Sequence, residues 1–188
     1  MKITTKTTFK QLQEYTLTGF ITEAHIHALM NRPRPSELCG VPFPENLDHI
    51  TLIQLHRLRG IKNDITCFST LIDVILGIPY EKVVKAPAYI VISAGAWIMK
   101  ELERISRAFS AIKTSYTAEE LSAGVKSLDF GYYGMADCYA RRMGITDPDE
   151  VMNNVPWLKI WHAMKMDNDI DKYRRRLQNV YKEKSNKK

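Results

Sequence analysis

Three features of this chain predict an all-α fold. From Leu47 onward, apolar residues recur at three- and four-residue steps, the spacing that lines one face of a helix. The segments so marked carry helix punctuation, with Gly60, Gly77 and Gly144 as stops and Thr117, Asp147 and Pro156 as starts. Between Arg32 and Glu45, Pro33, Pro35, Pro42 and Pro44 fix the backbone and remove amide donors, so that stretch neither continues a helix nor sits centrally in a sheet. At 188 residues and 45% hydrophobic content the chain suits one core of ordinary size. The expectation is a compact multi-helix domain of about six or seven helices, with a short N-terminal strand or arm.

Lys2 to Thr8 alternates weakly and is rich in Thr, which suits a strand or an extended arm. Phe9 to Tyr15 and Thr22 to Met30 each suit a short helix, and the prolines that follow make a linker or a wrapping segment. Leu52, Ile53, Leu55 and Leu58 mark a helix ending near Gly60. Ile65, Phe68, Leu71, Ile72 and Ile75 mark a second, stopped at Gly77 and Pro79. Pro79 to Val84 reads as one turn, and Pro87 then opens a long helix through Phe109. Its first half, Ala88 to Met99, is apolar on nearly every side and should be the central core helix; Ser93, Ala94, Gly95 and Ala96 would let a neighbour approach closely. Thr117 with Glu120 forms a capping box, opening a helix whose buried face should be Leu121, Val125 and Leu128. Gly131 and Gly134 should interrupt the pattern before a stretch from Met135 to Met143. Asp147, Pro148 and Glu150 open a short helix to about Asn154. Pro156 opens the last one, with Trp157, Ile160, Trp161, Met164, Ile170, Tyr173, Leu177 and Val180 as its stripe. These elements divide the chain into an N-terminal arm at residues 1–45, a helical domain at 46–181 and a basic disordered tail at 182–188.

Candidate chemistry does not assemble. His25 and His27 lie about 200° apart on a helix, and His49, His56 and His162 have no carboxylate or cysteine at ligand spacing. Cys39, Cys67 and Cys138 are an odd number without CxxC spacing, which fits neither a disulfide framework nor structural zinc and suits a reducing cytoplasm. Cys67 and Cys138 fall on predicted apolar stripes, as small core residues would. Asp167, Asp169 and Asp171 lack the glycine and terminal glutamate of a calcium loop and read as a solvated helix face. The expectation is a protein that is not an enzyme and uses no cofactor or metal. The Met1 end lacks the apolar segment of a secretory signal. The longest uncharged run, Ala86 to Met99, is short of the roughly 20 residues that span a bilayer.

Charge and aromatic placement single out the C-terminal segment. Lys172 to Lys188 carries eight Lys/Arg and one acidic residue, more than the whole formal charge of +6. Lys172, Arg174, Arg175, Arg176, Lys182 and Lys184 suit phosphate neutralisation on nucleic acid, docking on an acidic protein, or plain solubilisation. Trp157, Trp161 and Met164 share a helix face that either anchors a partner or packs on the Tyr132 and Tyr133 region. Self-association is a further option.

The stretches Leu47 to Leu55, Leu71 to Ile78 followed by Pro79 to Val84, Phe130 to Met143, and Pro156 to Tyr181 together carry a family resemblance. The chain from Asn46 resembles the small helical tail assembly chaperones of tailed bacteriophages, particularly those of Bacteroidetes-type hosts; Met1 to Glu45 departs from that pattern. The resemblance implies a non-enzymatic protein of the host cytoplasm that holds the tape measure protein while tail subunits polymerise. For helix-in-groove binding of such a client, the expected site is a groove between the Trp157 helix and the helix from Thr117, with the basic tail adding electrostatic capture. The alternatives are a structural virion component, such as a head-tail connector or packaged protein, and a small nucleic-acid-binding protein.

Overall fold

The computed structural model describes residues 4–18, 21–61, 67–114 and 116–185. The fold is all-α: ten α-helices and one two-stranded hairpin occur among the described residues. The helices outnumber the expected six or seven because several are only one or two turns long. The chain divides into two compact units, one from the described residues of Met1–Leu47 and Gln54–Ile105, the other from those of Asp48–Ile53 and Ser106–Lys188. The described residues up to Leu47 therefore cluster in a helical unit rather than forming a separate arm.

In the first unit, α1 (Phe9–Leu17) opens on a capping box in which Thr8 Oγ1 accepts from the Gln11 amide and Gln11 Oε1 accepts from the Thr8 amide. The extended segment expected at Lys2 to Thr8 shrinks, among described residues, to one bridge between Thr8 and Pro87. Flanking amide bonds from Phe9 to the Ala86 carbonyl (2.9 Å) and from Ala88 to the Thr7 carbonyl (2.8 Å) fasten it. After α2 (Glu23–Met30) the strands are β1 (Glu37–Leu38) and β2 (Val41–Pro42), inside the proline-rich segment. Cys39 (φ 52°) and Gly40 (φ 79°) make the tight turn between them, both left-handed as a primed hairpin turn requires. The segment wraps the long helix. Arg34 lies 5.5 Å from the Trp97 ring centroid, Arg32 lies 5.3 Å from that of Tyr89, and buried Phe43 meets Trp97 edge-on at 5.4 Å.

The core of this unit is α4 (Phe68–Leu76) against α6 (Ala88–Ser110), with the four-residue α5 (Tyr80–Val83) between them in sequence. Gly77 stops α4 in the left-handed conformation, as expected, and its amide donates to the Asp73 carbonyl at 2.8 Å. Gly95 is the close-approach point: a Cβ there would stand 2.4 Å from Phe68 Cγ. α3 (Leu52–Leu58) starts in the second unit's segment and continues into the first, where Gln54 Nε2 donates to the Val74 carbonyl at 3.0 Å.

The second unit comprises α7 (Ala118–Ser122), a 3-10 turn at Val125–Ser127, α8 (Gly131–Met143), α9 (Pro148–Asn154) and α10 (Trp157–Ser185), with the end of α6. The capping box of Thr117 and Glu120 and the Asp147–Pro148 start form as expected. The expected interruption falls at Gly131 alone: with φ 56° it follows the non-helical Leu128–Phe130 and opens α8, whereas Gly134 lies in the first turns of that helix with the Phe130 side chain folded across it. The helix expected from Thr117 to Leu128 is replaced by a five-residue helix and a 3-10 turn separated by Gly124 at φ 80°. Beyond Trp157 and Ile160, α10 buries no residue fully, and it continues as helix through Lys182 and Lys184, past the point where fraying was expected.

Candidate functional site

The Trp157 face is structural. Trp157 is 1% exposed, its ring lies 5.6 Å from that of Phe109, and its amide donates to the Ile50 carbonyl at 2.8 Å. Trp161 Nε1 donates to the Ala108 carbonyl at 2.8 Å, satisfying a carbonyl in the last turn of α6 that no amide in that helix can reach. Lys165 covers the Trp161 ring at 5.2 Å. Two of the three residues expected to anchor a partner are thus spent on the end of α6, and Met164 is half-buried beside them. Tyr132 is half-buried, while Tyr133 is 53% exposed.

The basic residues divide into two groups. Arg175 pairs with Glu120 at 3.3 Å, tying α10 to the start of α7, and Arg174 pairs with Asp171 at 3.4 Å on the same helix. Lys172 Nζ lies 3.1 Å from the Asn168 amide, whose other end meets the Lys113 carbonyl. The bond from the Thr117 amide, then that from Arg175, holds the Glu120 carboxyl below the usual glutamate range. Glu119 is lowered too, first by its own backbone amide, then by Thr117 and more weakly by Lys182. Lys172, Arg174 and Arg175 therefore serve intramolecular contacts. Arg176, Lys182 and Lys184 are exposed.

Where the groove was expected, between α7 and the Trp157 helix, the Arg175–Glu120 pair joins the two helices. What the surface offers instead is apolar. Of thirteen large hydrophobic side chains exposed among the described residues, eleven lie in the second unit. Leu121 (44%), Leu128 (63%), Phe130 (71%) and Tyr133 form one group in a single short segment. The expected buried face of the Thr117 helix is thus outside: α7 and the 3-10 turn bury nothing, because Gly124 breaks the phase that would have aligned Leu121 with Leu128. A second group, Met166, Ile170, Tyr173, Val180 and Tyr181, runs along α10.

Among the described residues no three metal-ligating side chains come together. His25 Nδ1 lies 2.8 Å from Thr22 Oγ1, and His27 is exposed. Cys138 is exposed and Cys67 half-buried at the start of α4, so neither is the core residue its stripe suggested. No described helix is long and apolar enough to cross a membrane. Comparison with protein-family models, curated proteins and solved structures finds no match to any of them.

Proposed function

We propose that this protein is a non-enzymatic phage assembly factor, a tail assembly chaperone whose second unit holds the tape measure protein before tail subunits enclose it. The observation that carries this reading is the exposed segment Leu121–Tyr133, with Phe130 at 71% and Leu128 at 63% exposure. Exposed apolar clusters of this kind mark protein-binding surfaces. An amphipathic helix, the form a tape measure protein presents before assembly, supplies the matching stripe. The anchors are Leu128, Phe130 and Tyr133 in place of Trp157 and Trp161. Lys182 and Lys184 provide the electrostatic capture.

The test is co-expression with the tape measure protein, measuring the soluble fraction of that client. Leu128→Ser with Phe130→Ser should weaken retention about tenfold or more while leaving the helical circular dichroism signal unchanged. A double variant that keeps the client soluble would overturn the reading. Recovery of the protein in mature particles at fixed stoichiometry would replace it with a structural virion role. Recovery of nucleic acid, at low salt only, would transfer the function to the basic residues.

A further inference from the structure

The C-terminal two-thirds of α10 is amphipathic the wrong way round for a helix packed on its own unit. At about 100° per residue, Asn168, Lys172, Arg175 and Lys182 continue the face that starts with buried Trp157 and Ile160. That inner face is polar: Lys172 meets Asn168 and Arg175 meets Glu120. Met166, Ile170, Tyr173, Leu177 and Val180 fall on the opposite side at alternating four- and three-residue steps, the a/d spacing of a two-helix seam. Met166 is 54% exposed, Ile170 41%, Tyr173 57% and Val180 45%.

We infer that a second copy of this chain covers the stripe, with the two α10 helices pairing antiparallel. Charge selects both the occupant and the direction. The helix is acidic before the stripe's midpoint, at Asp167, Asp169 and Asp171, and basic after it, at Lys172, Arg174, Arg175 and Arg176. Antiparallel pairing sets each acidic half against the partner's basic half. The register that places Ile170 against Tyr173, and Met166 against Leu177, also brings Asp169 opposite Arg176, twice by symmetry. Asp169 and Arg176 are exposed and have no ion-pair partner in their own chain among the described residues. A shift of one heptad either way sets Asp169 against Asp169 or Arg176 against Arg176, so the register is unique. Parallel pairing instead leaves Arg176 opposite Tyr181, where its charge would be silent.

This surface is distinct from the Leu121–Tyr133 segment, and the inference stands apart from the chaperone reading. Sedimentation equilibrium of the full chain should show the mass rising from 21.7 kDa toward twice that value through the micromolar range. Asp169→Arg and Arg176→Asp should each give monomers, since each sets like charges face to face. Mixing the two variants should restore the dimer, because the heteromeric pairing re-pairs every charge, and the double variant should dimerise alone. Ile170→Asp should abolish association with unchanged helix content, as the side chain is exposed in the monomer. A wild-type mass of 21.7 kDa at every concentration would assign the stripe to a different partner and overturn the inference. Single variants that dimerise like wild type, or a mixture that stays monomeric, would overturn it equally.

Discussion

Glu101 shows how one carboxylate fastens the first unit. It accepts from Arg104 at 2.8 Å and from the Leu47 amide at 3.1 Å, holding the end of the proline-rich segment to α6. Partial burial pushes its carboxyl up, but the Arg104 hydrogen bonds, the Leu47 amide and the Arg104 charge together outweigh this and lower it below the ordinary 4.5. A carboxylate with a depressed folded pKa contributes stability above its unfolded value, and that contribution is lost as pH falls through the folded value. Glu101→Gln should therefore lower the melting temperature at pH 7, and the gap to wild type should close as pH falls from about 4.5. A gap that persists undiminished at pH 3 would rule out the charge as its cause. Gly95 is a second decisive residue. Gly95→Ala has no space beside Phe68 and should cost about 1–3 kcal/mol by overpacking, read from urea unfolding. At Cys39, in contrast, the strain is relievable: Asn tolerates the left-handed conformation, so Cys39→Asn should gain up to about 1 kcal/mol.

At the scale of elements, α7 depends on polar ties. It buries no residue, and its attachments are its capping box and the Glu120–Arg175 pair. Arg175→Ala should speed amide exchange in α7 severalfold while leaving α4 and the first half of α6 protected, measurable by hydrogen-exchange mass spectrometry. Equal protection of α7 in both proteins would show that the pair contributes nothing, as many exposed ion pairs do. The same element shows what the sequence discloses. Starts and stops are local chemistry, so Thr117, Asp147, Gly77 and Gly144 mark ends that the structure reproduces. Which face is buried depends on packing across the chain, and there the reading of Leu121 and Leu128 failed. On α10 a signal was present in the sequence: the six-residue step from Met164 to Ile170 turns the stripe through about 240°. What reads as one stripe is two, an inner one built on Trp157 and an outer one from Met166, and only burial separates them.

At the scale of the whole molecule, the two units bury apolar surface very unequally. Of the thirty-one buried hydrophobic residues among the described ones, twenty-three lie in the first unit and eight in the second, and two of those eight are alanines. Apolar burial is the dominant favourable contribution to stability, at roughly 25 cal/mol per Å². The second unit should therefore be the weaker one and open first. The tryptophans report this separately, since Trp97 lies in the first unit and Trp157 and Trp161 in the second. In urea, a Trp97→Phe variant, which keeps only the second unit's reporters, should show its fluorescence transition at lower denaturant than a variant carrying Trp157→Phe and Trp161→Phe. Because Trp157→Phe itself removes core volume, hydrogen exchange on the wild-type chain provides the control: amides of α8 and α9 should exchange before those of α4. Coincident transitions together with uniform exchange would mean that the chain unfolds as one cooperative body despite the unequal cores. A separate first transition has a functional consequence, because the unit that opens first is also the one carrying the exposed apolar segment. A partner that binds there should raise the first transition and leave the second unmoved, which gives client binding a thermodynamic readout independent of solubility.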